Sequence, residues 1–405
     1  MLLNVLKWTS VLVVAFALSD DPFRPAVSHY HQVLDGSGPP ARGVAESESK
    51  TASSRSSLEA LVEGRFAALG LRVPETDPAM RLAAARLASV FRLSDHEEVV
   101  SGNSDLIRFI LFLHGITDSF TFPVIAHLDH VRQADGLLAT LISADLAKLG
   151  LNRYAVVWDP ETSNLALLFS KRLVRLSPFP IAADPGTAHL LWGSMEPGVS
   201  APSLYMATPG GSTIQSQPKV SGELFWSQVY LPEEPGEYML EILVQEDGAQ
   251  VASLFPVYVG TTPPVRPVTR LYAELPADAS ESQLETRMME LVNQERTSRS
   301  IPKLKWDPIL ARTARAHSNV MASNKRLSHV SEAPVPSQIR GFQENISLST
   351  SLSSAHSNLM GSPSHRRNVL SRDHTRAGIG IVKVPMPNGR YLLYVTQRFA
   401  GKGGM

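Results

Sequence analysis

The sequence predicts a multidomain α+β protein, and three observations predict it. The chain has 405 residues, more than one ordinary hydrophobic core organises. Apolar residues make up 43%, a globular value that argues against pervasive disorder. Helical periodicity near both ends brackets a middle stretch in which turn residues recur between short apolar runs.

Residues 1–19 read as a signal peptide, with an uncleaved anchor or a misplaced start as alternatives. Lys7 precedes an apolar run from Val11 to Leu18, Ala15-Phe16-Ala17 has the small-residue pattern of a cleavage site, and Asp20, Asp21 and Pro22 follow. The run is short for a membrane span, and no other segment is apolar enough to be one. Residues 20–57 are rich in Ser, Gly, Pro and Ala and are expected to be a flexible linker.

Residues 58–178 predict a helix-rich α+β domain. Leu58, Leu61 and Val62, then Met80, Leu82, Leu87 and Val90, recur at helical intervals, and Ile107 to Phe112 form a buried run. Tyr154–Trp158 and Leu165–Phe169 flank Asp159–Asn164 as a hairpin. Residues 180–260 predict a small antiparallel β-sandwich, punctuated by Asp184-Pro185-Gly186, Pro209-Gly210-Gly211, Pro232–Gly236 and Asp247-Gly248. Residues 261–280, with Pro263, Pro264 and Pro267, are a stiff linker.

Residues 281–402 form the last predicted domain. Leu284, Met288, Leu291 and Val292 mark an amphipathic helix. Asp307 is placed to cap a second helix, with Pro308 in its first turn and Leu310, Ala314, His317 and Met321 along one face. Gly378–Val382 and Tyr391–Gln397 flank Pro387–Arg390 as a closing hairpin.

The two helical domains also suggest a repeat. At an offset of 230, Leu61-Val62 matches Leu291-Val292 and Asp77-Pro78 matches Asp307-Pro308. At an offset of 228, Ser143–Gly150 matches Ser371–Gly378. On that alignment Leu87 replaces His317 and Leu137 replaces His365, so the first copy would keep the scaffold without the site. Chance similarity between helix-rich segments is the alternative.

Charge and composition restrict the chemistry. From Glu281 onward there are 18 Lys and Arg against 8 Asp and Glu, leaving 20 against 30 for the rest. Such asymmetry suits docking between the two parts or an anionic surface, and equally a solvated basic face around Arg366, Arg367, Arg372 and Arg376. The absence of cysteine excludes disulfides, thiolate ligands and cysteine nucleophiles. No phosphate loop, nucleophile elbow or HExxH motif occurs, and nothing interleaves basic with aromatic residues as nucleic-acid binding needs.

What remains is a set of separated polar residues: Ser328-His329, Gly341–Ile346 with Glu344, and Ser362–Leu370 with His365. His329, Glu344 and His365 together are a possible N,N,O set for zinc or another divalent cation, or a hydrogen-bonded cluster in which Glu344 orients an imidazole. His317 is counted with His329, Glu344, His365 and Ser362 among the cleft residues, and reads as a packed or supporting histidine with a ligand role as the alternative. Asn345, Asn368 and Gln397 read as structural support. His356 and His374 are expected at the surface, and His127 and His130 on a helix face.

These fragments, with Ala316-His317-Ser318, Gly378–Ile381 and Tyr394–Phe399, resemble the CAP superfamily (cysteine-rich secretory proteins, antigen 5 and pathogenesis-related 1 proteins) in its short bacterial form, over residues 284–400. The resemblance implies an α-β-α sandwich and a cleft of two histidines and two acids. By position the histidines are His329 and His365 and the first acid is Glu344. The second acid falls at Ser362, and a family tryptophan falls at Leu359. The resemblance also implies extracytoplasmic work, secreted or periplasmic, on a lipid, another cell-envelope component or a protein. Three functions follow: a ligand-binding exported protein, a zinc-dependent hydrolase using the same cleft, and a structural envelope protein.

Overall fold

The structure is a computed structural model. It describes residues 45–90, 98–100, 104–142, 146, 149–246, 248–264, 272, 275–276, 278–329, 342–385 and 391–401. The expected signal-peptide segment, Gly341 and residues 387–390 lie outside the described residues, as does half of the Pro-rich linker. The chain divides into two compact units, residues 1–183 with 261–269 and residues 184–260 with 270–405.

In the first unit, helix α1 (Ala45–Ala68) begins inside the span expected to be linker. Its N-terminal Ala, Glu and Lys residues are good helix formers, a preference the Ser-rich composition obscured. Then come β1 (Glu75–Thr76), α2 (Pro78–Val90), β2 (Glu98–Val100), α3 (Ser104–Leu113), β3 (Phe120–His127), α4 (Ala134–Leu141), β4 (Arg153–Asp159) and β5 (Asn164–Lys171). Short strands β6 (Val174–Leu176) and β7 (Ala182–Ala183) follow. The sheet order is β1-β4-β5-β3-β2, with β1 parallel to β4 and the other pairs antiparallel. Strand alternation sends Ala155, Val157, Ala166 and Leu168 to α2 and α3, and Val124, Val156, Leu167 and Phe169 to α1 and α4. Met80, Ala84 and Leu87 face the α2 core, whereas Leu82 is exposed. His127 ends β3 rather than lying on a helix, and His130 Nδ1 accepts from Arg132 N to cap a short 3₁₀ turn.

The second unit opens with the predicted sandwich. Strands β8 (Ala188–Met195), β9 (Ser200–Ala207), β10 (Thr213–Ser216), β11 (Lys219–Ser221), β12 (Leu224–Tyr230), β13 (Gly236–Gln245) and β14 (Ala249–Val259) pair antiparallel. One sheet contains β10-β9-β13-β14 and the other β11-β12-β8.

The C-terminal domain has α5 (Glu281–Thr297), β15 (Lys305–Trp306), α6 (Pro308–Asn324), β16 (Gln343–Ser349), α7 (Leu352–Gly361), α8 (Pro363–Leu370), β17 (His374–Pro385) and β18 (Tyr391–Gly401). Ser280 and Gln283 form a capping box for α5. Asp307 caps α6 from Oδ1, 2.9 Å from Ile309 N and 3.1 Å from Leu310 N. Helices α5, α7 and α8 bury Met288, Val292, Ala355 and Val369 against Ala377, Ile379 and Val395 of the sheet. Helix α6 covers the other face so closely that a Cβ on Gly380 would lie 2.1 Å from Arg315 N. The result is the expected α-β-α arrangement.

Its sheet order, β15-β17-β18-β16, repeats β1-β4-β5-β3 of the first unit, with the same parallel and antiparallel pairs. The capping aspartates match in detail: Asp77 Oδ1 accepts from Met80 N and Oδ2 from Arg153, while Asp307 Oδ2 accepts from Arg376. Asp77 N donates to Tyr154 O, and Asp307 N donates to Ala377 O. This register aligns Tyr154 with Ala377, an offset of 223 and not the 228 expected from Ser143–Gly150. More residues separate α4 from β4 than separate α8 from β17, so the offset taken from Ser143–Gly150 does not fit the strands.

Candidate functional site

The site gathers at β16, the last strand of the described C-terminal sheet. Glu344 on β16 stands opposite Arg398 on β18. Its Oε2 accepts from Arg398 Nε and lies 2.8 Å from Arg398 Nη2. Its Oε1 is 3.1 Å from His329 Nδ1 and 3.6 Å from His317 Nε2. One carboxylate is therefore shared by a buried guanidinium and two imidazoles. Burial alone would raise the Glu344 pKa. The His329 hydrogen bond and the charges of His317 and Arg398 outweigh it and hold the carboxyl below its ordinary value. Phe342 packs over the Arg398 guanidinium, 4.5 Å from its ring centroid.

His317 is buried on α6, and its Nε2 lies 2.8 Å from Ser328 O. Burial pushes its pKa down, as expected for a supporting histidine. His329 is partly exposed, its side chain at 26%. His365 stacks on it, ring centroids 6.3 Å apart and planes 27° from parallel. Surrounding protein, then the His329 charge, push the His365 pKa down to about 3, so this ring is neutral at physiological pH.

The other face of β16 holds the support. Asn345 stands opposite Gln397, and its Nδ2 donates to Gln397 Oε1 and to His365 O, both at 3.1 Å. Asn368 Nδ2 donates to Asn345 Oδ1 at 2.8 Å and to Glu344 O at 3.4 Å. These amides tie α8 to the edge strand and fix the backbone of His365. Arg398 went unassigned in the sequence because an arginine in a closing strand reads as solvent-facing; its one signal was its place within Tyr394–Phe399.

Ser362 is 3% exposed, and its hydroxyl donates to Glu241 Oε1 of the sandwich at 2.9 Å. It is committed there, and not to a histidine. Two other expectations are corrected. His356 is 0% exposed, set edge-on to Tyr272 and 3.8 Å from Glu295; His374 is 7% exposed, stacked on Phe399 with Nδ1 2.9 Å from Asn368 O. Their polar neighbours made them look solvated, yet both fill gaps beneath the sheet. Two arginines of the basic face are engaged within the protein: Arg367 donates to Gln215 Oε1, and Arg376 to Asp307.

Zinc needs free lone pairs on its ligands. Both Glu344 oxygens are engaged, Arg398 neutralises the carboxylate, and Nδ1 of His329 is turned to Glu344. Among the described residues, no group of three or more His, Asp or Glu side chains is placed to hold a metal ion. These side chains fit a hydrogen-bonded cluster better than a three-ligand metal site.

Comparison with known proteins gives this geometry a family. Residues 289–399 match the CAP family, described as the cysteine-rich secretory protein family. An outer surface protein from Borrelia burgdorferi is similar at 14% identity, covering 31% of this chain and 97% of that one, with a TM-score of 0.27. An extracellular protein containing a SCP domain from Bacillus anthracis is similar at 19% identity, over 42% of this chain and 65% of that one, TM-score 0.25. A cysteine-rich secretory protein from Staphylococcus aureus is similar at 12% identity, over 56% of this chain and 86% of that one, TM-score 0.22. Comparison with curated protein sequences gives no match. Among the described residues no helix is long and apolar enough to cross a membrane. With the family match spanning both histidines, Glu344 and most of the closing hairpin, the C-terminal domain of this α+β chain is CAP-like.

Proposed function

We propose that this is an exported CAP-domain protein whose His329–Glu344–His365 cleft binds a ligand of the cell envelope or extracellular space, a lipid, another envelope component or a protein, rather than performing fast catalysis. The carrying observation is that, among the described residues, Glu344, Ser362 and His365 are each already neutralised or engaged. Glu344 is paired with Arg398, and Ser362 is buried against Glu241. His365 is neutral, with a pKa of about 3, and is a poor proton acceptor near pH 7. What remains accessible is the edge of His329, suited to hydrogen bonding. A zinc-dependent hydrolase would have to break the Glu344 contacts first.

The test is retention of the purified full chain on its native envelope fraction. His329→Ala should reduce retention at least about tenfold, the size of one well-made polar contact. Retention equal to wild type would remove the cleft from the binding function.

The first unit is, on this reading, a degenerate copy of the CAP domain that keeps the sheet and lacks the cleft. The repeated strand order, register and aspartate caps support it.

A further inference from the structure

Among the described residues, Glu241 is the most deeply buried carboxylate that the cleft does not use. It lies on β13 of the sandwich, between Tyr205 on β9 and Leu254 on β14, and is 0% exposed. Its neighbours across the gap belong to the C-terminal domain. Oε1 accepts from Ser362 Oγ at 2.9 Å and from Ser364 Oγ at 2.7 Å; Oε2 accepts from Ser364 N at 2.7 Å. Ser362 is the N-cap residue of α8, yet its own side chain makes no capping bond. Glu241 performs that task from 121 residues away in the chain. A carboxylate accepting a first-turn N–H is the arrangement that a helix start favours. Around it, Arg367 of α8 reaches back to Gln215 and lies over the Tyr205 ring at 5.5 Å.

We propose that Glu241 is a positioning residue of the cleft: the sandwich delivers its carboxylate to the head of α8, where the CAP pattern places an acid at Ser362, and thereby fixes the helix that carries His365. The cleft is then built by two domains, and a serine at 362 is a requirement rather than a loss. An acid there would put two carboxylates in one buried space. The proposal does not depend on what the cleft binds.

The test is a swap in the full chain, read by thermal melting and by the imidazole NMR signals of His365. Glu241→Ser leaves Ser364 N without its acceptor and should lower the melting temperature of the second unit by about 5 °C or more. It should also move the His365 signals, which a merely space-filling role would leave in place. Ser362→Asp alone should destabilise at least as much, through like-charge crowding. The double variant Glu241→Ser/Ser362→Asp should recover at least half of the combined loss and return the His365 signals towards wild type. Glu241→Gln, which keeps one acceptor oxygen, should be the mildest single change. A Ser362→Asp variant as stable as wild type, additive losses in the double variant, or unmoved His365 signals in Glu241→Ser would each overturn the proposal. If both single variants fail to fold, a folded double variant supports it and an unfolded one overturns it.

Discussion

The two α/β sheets share strand order and pairing direction, and they differ where the site is. Reading both by strand register sets Glu344 and Arg398 of the C-terminal sheet beside Pro123 and Leu168 of the first. Asn345 and Gln397 fall beside Val124 and Leu167. Along the helices, at the offset of 230, His317 and Ser318 fall beside Leu87 and Ala88. The first sheet thus has buried apolar residues at each of these places. It also carries an additional strand, β2, on the edge that corresponds to β16. The comparison teaches that the polar cluster is not needed for the fold. The same strand order closes with an ordinary core in the first unit, so burying Glu344, Arg398 and His317 is a cost that the fold itself does not require.

The largest test of that contrast is to convert one sheet towards the other. Glu344→Leu alone leaves the Arg398 guanidinium buried without its anion and should cost about 3–5 kcal/mol. The double variant Glu344→Leu/Arg398→Leu imitates the apolar pair of the first sheet and should recover most of that loss. Urea denaturation of the single and double variants measures it. A double variant that is no more stable than the single would mean that the cluster is structural.

A smaller effect is expected at the helix contact. Ser318 Oγ donates to Gly380 O and lies 2.8 Å from Thr396 Oγ1, while the first sheet has Ala88, Val157 and Ala166 in these places. Gly380→Ala should cost about 1–3 kcal/mol, because α6 has no room for a Cβ. A neutral result would show that α6 can move outward as freely as an alanine requires.

The cleft and the sandwich contact respond to pH with opposite sign. The His365 pKa of about 3 lies below its ordinary 6.5, so its contribution is complete above pH 6.5 and is lost as pH falls towards 3. Burial, partly offset by the Ser364 and Ser362 hydrogen bonds, raises Glu241 from 4.5 to about 7. Its contribution is complete below pH 4.5 and is lost as pH rises through 7. Between pH 7 and 5, His365→Gln should therefore lose less stability on acidification than wild type, and Glu241→Gln more. Melting curves at the two pH values decide it; parallel slopes for all three proteins would contradict both assignments.

The smallest expected effect is that of zinc. Added zinc should change the melting temperature by less than about 1 °C, since a cluster already satisfied by Arg398 gains little from the ion. A rise of several degrees that His365→Ala abolishes would favour the metal reading instead.

How much of this was legible follows from where each partner lies. The helix cap at Asp307, the two hairpins and the histidine and Glu344 motifs were readable because their signals are local in the chain; Asp77 was read only as the match of Asp307 at the offset of 230. Asn345, Asn368 and Gln397 carried an expected supporting role, and in the structure Asn345 hydrogen-bonds to both of the others. Glu241 was not readable: it sits between Leu240 and Ile242, where strand alternation reads as an outward polar residue. Its burial comes from a helix 121 positions away in the chain. Ser362 looked like a missing acid for the same reason. His356 and His374 were misplaced because a histidine's burial depends on packing across the sheet, which periodicity does not report.

The most direct measurement is envelope retention of the Glu344→Leu/Arg398→Leu chain beside wild type, with a melting curve taken on the same samples. The account predicts a cooperative melt together with a loss of retention of at least about tenfold, because the apolar pair preserves the fold and removes the cluster. A chain that melts cooperatively and is retained as well as wild type would contradict it.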